Sequence, residues 1–170
     1  LLPGSEEDYA KVVALLIARG TRKDVVGPEN RNLAQIAAGF AGAAMLKVLL
    51  DAGFDLHATD PTGMTLLHRA AYQGQAETVS LLLERGAKID AKARDGCQAL
   101  HFAAMGGNAG AVKVLTAKGA SLVATGTFKA TPLHLAVNLN HLEATRILLE
   151  AGAPPDALDA EGGTPLMRAV

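Results

Sequence analysis

Cysteine, aromatic residues and long apolar runs are all scarce in this chain of 170 residues. The single cysteine, Cys97, excludes an internal disulfide and a cysteine-rich zinc cluster, and it leans toward a reducing compartment. No apolar run approaches the roughly 18 residues that a membrane-spanning helix needs. The sequence therefore predicts a cytoplasmic protein without membrane insertion, although a secreted or periplasmic location stays open.

An excess of charge of either sign is also missing. Sixteen Lys and Arg residues stand against 17 Asp and Glu, which gives a net charge of -1. Because no basic cluster is present to neutralise phosphates, nucleic acid is not an expected partner. Hydrophobic residues make up 49% of the chain, which is enough apolar material for one packed domain of this length.

Histidines and glycines recur along the chain at a fixed interval. His68, His101 and His134 follow one another at a constant step (101 − 68 = 33 and 134 − 101 = 33). Glycines keep the same step at Gly20, Gly53, Gly86, Gly119 and Gly152. An apolar helical pattern precedes these glycines, as in LLLERG and ILLEAG. An interval of this length is the signature of a repeat architecture.

The residues at the start of each unit predict a helix. In KATPLHLAV (129–137), Thr131 suits the N-cap, and Pro132 suits the first helical position, where the missing N–H would have had no partner. Near the N-terminus, Ser5 and Asp8 have the spacing of a capping box, with Asp in place of the usual Glu. Both patterns indicate helices whose first turn is capped by side chains.

The rest of each unit predicts a turn, a second helix and an extended finger. Gly74, Gly107 and Asn140 suit a left-handed turn between two helices. The regularly spaced glycines end the second helix for the same reason. The segment that follows, such as residues 87–96, is extended and ends in a turn signal that favours a hairpin-like finger.

A helix–turn–helix–finger unit of this length that contains TPLH at 131–134 resembles the ankyrin repeat. The resemblance covers essentially the whole chain and implies a single domain, 1–170, that is an all-α solenoid of stacked units with hairpin-like fingers. Both outer units are incomplete, so we expect the parent chain to continue or an atypical cap to be absent. The expected units are 1–27 (partial), 28–60, 61–93, 94–126, 127–159 and 160–170 (partial).

The aligned histidines raise the question of metal binding or catalysis. Stacked helices lie about 10 Å apart, whereas a shared ion needs bonds of about 2 Å. The resemblance implies instead that these histidines link the helix cap to neighbouring backbone. His57 and His141 are expected to be solvated. Because no phosphate loop or G-x-S-x-G string occurs, no catalytic residue, metal site or cofactor is predicted.

The resemblance implies a monomeric module that binds another protein through its concave face, without catalysis. An alternative is the targeting or regulatory domain of a larger enzyme or effector whose catalytic part lies outside this sequence. Fingertips and the residues after each Ala-Ala pair are the implied contacts, and Pro28 and Glu29 belong to the second fingertip. The main candidates are Phe40, Pro61, Thr62, Met64, Tyr72, Gln73, Arg94, Asp95, Cys97, Met105, Thr127, Phe128, Lys129, Asn138 and Leu139. Aromatic side chains and Met in this set favour an apolar stripe for protein contact.

Three residues near one junction depart from the repeat. Thr116 stands where other units have Leu or Ile, Val123 where a polar residue is usual, and Lys129 where three units have glycine. A buried Leu-to-Thr exchange should cost about 2–3 kcal/mol, and a left-handed Lys about 1–2 kcal/mol. Rule-breaking positions are typical of functional sites, so we expect the 123–129 finger to be unusually shaped and to take part in binding.

Overall fold

The helices recur at the interval read from the sequence. A computed structural model describes residues 5–22, 27 and 31–169, and α2, α4, α6, α8 and α10 begin there at positions 33, 66, 99, 132 and 165. The helices are α1 (Glu6–Ala18), α2 (Leu33–Phe40), α3 (Gly42–Asp51), α4 (Leu66–Tyr72), α5 (Ala76–Glu84), α6 (Ala99–Met105), α7 (Ala109–Ala117), α8 (Pro132–Asn138), α9 (Leu142–Glu150) and α10 (Pro165–Arg168).

These helices stack in two layers. The inner layer is α2, α4, α6, α8 and α10, each packed on the next, and the outer layer is α1, α3, α5, α7 and α9 in the same order. Within a unit the inner helix packs against the following outer helix, as α4 does against α5. Helix α1 packs against α3, so it occupies the outer position of a first unit. The arrangement is the predicted all-α solenoid. None of the described helices is both long and apolar enough to cross a membrane.

Side chains cap α1 and α8 as the sequence predicts. Thr131 accepts a hydrogen bond from the backbone N–H of His134, and Pro132 occupies the first turn of α8. Ser5 and Asp8 form a reciprocal capping box at the start of α1. Each cap satisfies a backbone donor that the first helical turn leaves without a partner.

Left-handed residues end the helices. The glycines that follow the outer helices have φ between 84° and 95°, and Asn140 has φ of 56°. Only glycine adopts this conformation without a steric penalty, and Asn tolerates it better than most residues. The predicted turns at Gly74 and Gly107, with φ of 77° and 66°, are confirmed.

The hydrophobic core runs along the stack between the two layers. Leu133 on α8 is 1% exposed, and its equivalents one and two units earlier are also buried. The buried pairs Ala70-Ala71 and Ala103-Ala104 keep the inner helices thin, so that neighbours pack closely. The equivalent residue on α10, Leu166, is 74% exposed, because no described helix packs beyond α10.

Thr116 corrects one expectation. Its side chain on α7 is only partly buried, and the equivalent Leu149 on α9 is exposed. The Thr116 hydroxyl donates to the carbonyl oxygens of Val112 at 2.9 Å and Lys113 at 3.1 Å within its own helix. The prediction of a buried Leu-to-Thr exchange was therefore wrong, since the site is half open and the hydroxyl is satisfied.

Candidate functional site

Tight fingers project between successive helix pairs and bond to one another. An antiparallel backbone hydrogen bond closes each turn across residues 60–64, 93–97, 126–130 and 159–163. The N–H of Arg94 donates to the Thr62 carbonyl at 3.0 Å, and the N–H of Ala160 donates to the Phe128 carbonyl at 2.8 Å. Backbone hydrogen bonds therefore join the fingers in two pairs, 60–64 with 93–97 and 126–130 with 159–163. The predicted hairpin-like shape is confirmed.

The finger of residues 126–130 differs from the others in shape, as predicted. Phe128 and Lys129 both have φ of 54° within a 3-10 turn, Thr127–Lys129. Left-handed backbone costs a non-glycine residue about 1–2 kcal/mol. The Phe128 side chain is 76% exposed at the fingertip. Participation of this finger in binding stays a prediction.

The aligned histidines join each unit to the next. The backbone N–H of Gln98 donates to His101 Nδ1 at 3.1 Å, so this nitrogen is unprotonated and Nε2 carries the proton. Nε2 then donates to the carbonyl oxygen of Ala124 in the next finger at 3.0 Å. The same arrangement joins His68 to Ala91 at 3.1 Å and His134 to Gly163 at 3.1 Å. Their predicted structural role is confirmed. Burial lowers the pKa of both His68 and His101.

A second row of side chains also crosses between units. His141, at the start of α9, donates through Nε2 to the Met105 carbonyl at the end of α6, at 3.0 Å. The expectation that His141 is solvated was wrong, because the start of each outer helix lies beside the end of the preceding inner helix. His57 is exposed. At equivalent positions, Gln75 bonds the Gly39 carbonyl and Asn108 the Tyr72 carbonyl.

A first cleft of about 370 Å³ lies between fingers 60–64 and 93–97. The sequence predicted most of its lining but missed Ala93 and Phe102. The ring of Phe102 is fixed edge-on by His68, with centroids 5.2 Å apart, and by Tyr72, with centroids 6.5 Å apart. The lining residues are Pro61, Thr62, Met64, Ala93, Arg94, Asp95 and Phe102.

A second cleft of about 400 Å³ lies beside finger 126–130. The structure brings together here four of the predicted contacts, from the end of α6, from the finger and from the end of α8. Its lining residues are Met105, Thr127, Phe128, Ala130, His134, Leu135, Asn138, Asp159, Glu161 and Arg168.

The two clefts occupy the same place in the repeat, two units apart. Six of the seven residues of the first cleft have their equivalents, two units later in the sequence, in the second cleft. The pairs are Pro61 and Thr127, Thr62 and Phe128, Met64 and Ala130, Ala93 and Asp159, Asp95 and Glu161, and Phe102 and Arg168.

Two equivalent ion pairs lie at the two ends of the line of fingers. Asp60 pairs with Arg69, and three units later Asp159 pairs with Arg168. Burial raises the pKa of Asp60, but hydrogen bonds from Thr62 and Arg69 outweigh burial and hold it below its ordinary value. The two middle units have no charge at these positions, where they place Ala93 with Phe102 and Gly126 with Leu135. The middle of the face is therefore more apolar than its ends.

Other predicted contacts lie outside both clefts. Phe40 borders a separate hollow with Glu6 and Gln75, at the turn between α2 and α3. Exposed side chains of the predicted set also stand at the ends of inner helices and at a fingertip, namely Tyr72, Gln73, Lys129 and Leu139. Pro28 and Glu29 lie outside the described residues.

Cys97 is not available as a contact. Its side chain is 2% exposed, and burial raises the pKa of its thiol. Sγ lies 4.0 Å from Thr127 Oγ1, in space that Gly126 leaves open by having no Cβ. The prediction that Cys97 contacts a partner was wrong, because the next finger covers it. Among the described residues, no group of three or more His, Cys, Asp or Glu side chains is placed to hold a metal ion.

The repeats match a known protein family. A family model described as ankyrin repeats (3 copies) matches residues 5–93, 33–126 and 100–170, which together span residues 5–170. No curated protein matches the chain.

Proposed function

We propose, from the premise that this chain belongs to the ankyrin-repeat family, that it binds another protein through the face formed by its fingers and the ends of its inner helices. Ankyrin repeats are generally protein–protein interaction modules. The observation that carries the proposal is the pair of clefts on that face, which gather nine of the predicted contact residues.

The chemistry of this face suits a protein partner. Phe128 at a fingertip, with Phe40 and Tyr72 at the ends of inner helices, exposes aromatic rings to solvent. Aromatic residues and Met are enriched in protein interfaces, and exposed apolar groups gathered on one face mark interaction sites. A solenoid presents such side chains along an extended surface, since each unit adds the same positions to it.

We further propose that this domain is not catalytic. Catalysis of group transfer needs a nucleophile, a base and a stabilising donor within reach of one another. His68, His101 and His134 have both ring nitrogens engaged with the protein itself. The Cys97 thiol is buried and held protonated. These groups support structure, and a screen for hydrolase or transferase turnover tests the proposal.

The test of partner binding begins with affinity capture by the intact protein, followed by calorimetry on the purified partner. Phe128→Ala combined with Lys129→Gly should weaken binding about tenfold or more, since buried aromatic anchors dominate interface energy. Leu142→Ala is the matched control, because Leu142 is 80% exposed on the outer helix α9. Loss of affinity in the control alone would show that the outer layer is the binding surface.

A further inference from the structure

We infer that the two clefts together hold one extended segment of the partner, with one large apolar side chain in each cleft. The inference rests on the proposed function and adds the chemistry of the ligand. The segment carries two apolar side chains six residues apart, and a basic residue next to the one that enters the second cleft.

The spacing follows from the repeat. Equivalent positions in stacked helices lie about 8–10 Å apart, so clefts two units apart are separated by about 16–20 Å. An extended chain advances about 3.3 Å per residue. The distance between the clefts therefore corresponds to about five or six residues of an extended segment, and only the even separation of six directs both side chains to the same face.

The junction between the two clefts is filled by the side chain of Cys97. At this middle junction the Cys97 thiol occupies the space beside Gly126, where an added Cβ would lie 2.4 Å from Sγ. Thr127 Oγ1 also donates to the Asp95 carbonyl at 3.4 Å across the same junction. The thiol therefore takes the place beside Gly126 that a ligand side chain would need.

Each cleft has an apolar wall, and a packed aromatic ring forms part of the first. Met64, Ala93 and Phe102 line the first cleft, and the ring of Phe102 is held by its two edge-on neighbours. In the second cleft the apolar wall is Met105, Phe128 and Leu135. The held ring of Phe102 lowers the entropic cost of association at the first cleft. The apolar walls of both clefts suit a Leu, Met or Phe side chain.

The negative charge at the second cleft favours a basic residue in the ligand, next to the apolar residue that enters this cleft. Arg168 pairs with both Asp159, at 2.6 Å, and Glu161, at 2.7 Å, so two carboxylates face one guanidinium. The Asp159 side chain is 6% exposed, whereas that of Glu161 is 73% exposed and open to a ligand. Lys129 follows Phe128 but does not line the cleft. In the first cleft Arg94 and Asp95 balance each other, so the excess negative charge lies at the second.

The test is selection of binders to the whole chain from a phage library of random peptides of about 14 residues, long enough to reach both clefts. We expect selected sequences to share two large apolar residues six positions apart, with Lys or Arg beside one of them. One selected peptide, labelled with fluorescein, then serves as the probe for anisotropy. Replacing either apolar residue of the peptide by Ser should weaken binding about tenfold or more. These peptide changes do not depend on the folding of any variant.

Variants of the protein test each cleft separately. Ala93→Asp combined with Phe102→Arg introduces, one unit later, the ion pair that the fold already carries at Asp60 and Arg69. The double change places charge in the first cleft. Phe128→Ser removes the wall of the second cleft. Each change should weaken the probe peptide about tenfold or more, and Glu161→Gln should reduce the preference for a basic neighbour. Leu142→Ala should leave binding unchanged.

The outcomes separate this inference from the proposed function. Selected peptides with one apolar anchor, with another spacing, or no selected peptide at all would overturn the two-cleft inference. If peptides bind and only Phe40→Ala or Leu139→Ala weakens them, the binding face stands and the paired clefts do not. If only Leu142→Ala weakens them, both proposals fail.

Discussion

His101 Nε2 donates to the carbonyl oxygen of Ala124 at 3.0 Å, so one neutral ring joins the start of α6 to the next finger. Its Nδ1 accepts the backbone N–H of Gln98 at 3.1 Å and holds the cap of its own helix. Because His101 is fully buried, both contacts lie out of reach of water. Stability of the stack therefore depends on single side chains at its junctions.

His101→Ala should lower the free energy of unfolding by about 3 kcal/mol. The change leaves a buried donor and a buried acceptor without partners and opens a cavity, and each of these effects costs about 1 kcal/mol or more. Urea unfolding followed by circular dichroism measures the loss. His57→Ala is the control, since exposed His57 should change stability by less than about 0.5 kcal/mol. Equal effects of the two variants would contradict a role for the junction.

The fold was predictable from the sequence because the units repeat local signals that start and end helices. Thr131 and Pro132 start a helix through contacts within one turn, and Gly119 or Gly152 ends one through its own backbone freedom. Such signals need no knowledge of distant residues. The constant interval then fixes how the units stack, since equivalent faces must meet.

The clefts were harder to predict, because they depend on how a finger folds over the helix that follows it. Ala93 and Phe102 are nine residues apart and meet in one cleft. A signal was present in the sequence, since Asp60 and Arg69 have the same separation. The exposure of Cys97 was predicted wrongly. Its fingertip position favours exposure, and the sequence alone does not show that the thiol fills the space beside Gly126.

Stability should fall as the pH drops below about 6.5. Burial lowers the pKa of His68 and of His101 from the ordinary value of 6.5, so the unfolded chain binds more protons than the folded chain in this range. The stabilising contribution is complete above pH 6.5 and is lost as the pH falls toward the folded-state values. Two such groups contribute a slope of up to about 2.7 kcal/mol per pH unit. Free energies of unfolding measured at several pH values between about pH 5 and 8 give this slope.

The matched control for this pH dependence comes from the chain itself. Gln35 stands at the histidine position of an earlier unit, and its Oε1 accepts the N–H of Asn32 at 2.8 Å. His68→Gln combined with His101→Gln should therefore keep the caps and flatten the slope between pH 5 and 6.5. An unchanged slope in this double variant would assign the pH dependence to other groups.

Gln35→His should raise the free energy of unfolding by about 1 kcal/mol. Gln35 is buried, and its Nε2 has no hydrogen-bond partner within the part of the chain that the structure describes. A histidine there would keep the bond to Asn32 through Nδ1 and direct Nε2 to the next finger, as His68 does. One added buried hydrogen bond contributes about 1 kcal/mol. The reverse change, His68→Gln, should cost a similar amount, and a loss of stability in Gln35→His would show that its ring does not fit.

Gly126→Ala should destabilise the chain by about 1–3 kcal/mol through overpacking. An added Cβ would lie 2.4 Å from Cys97 Sγ and 3.4 Å from His101 Cδ2, and both neighbours are buried. Denaturant unfolding of the purified variant measures the effect.

A double-mutant cycle identifies the contact responsible. Cys97→Ala removes the thiol that the new methyl group would strike, so the double variant should be more stable than the sum of the single changes predicts, by about 1 kcal/mol. Gly110→Ala is the control for adding a methyl group, because Gly110 is exposed on α7 and its Cβ would lie 3.4 Å from that of Ala76. That change should stabilise the helix by up to about 1 kcal/mol. Strict additivity of the Cys97 and Gly126 changes would mean that the thiol does not fill the junction between fingers 93–97 and 126–130. The two clefts would then not be separated by a filled junction.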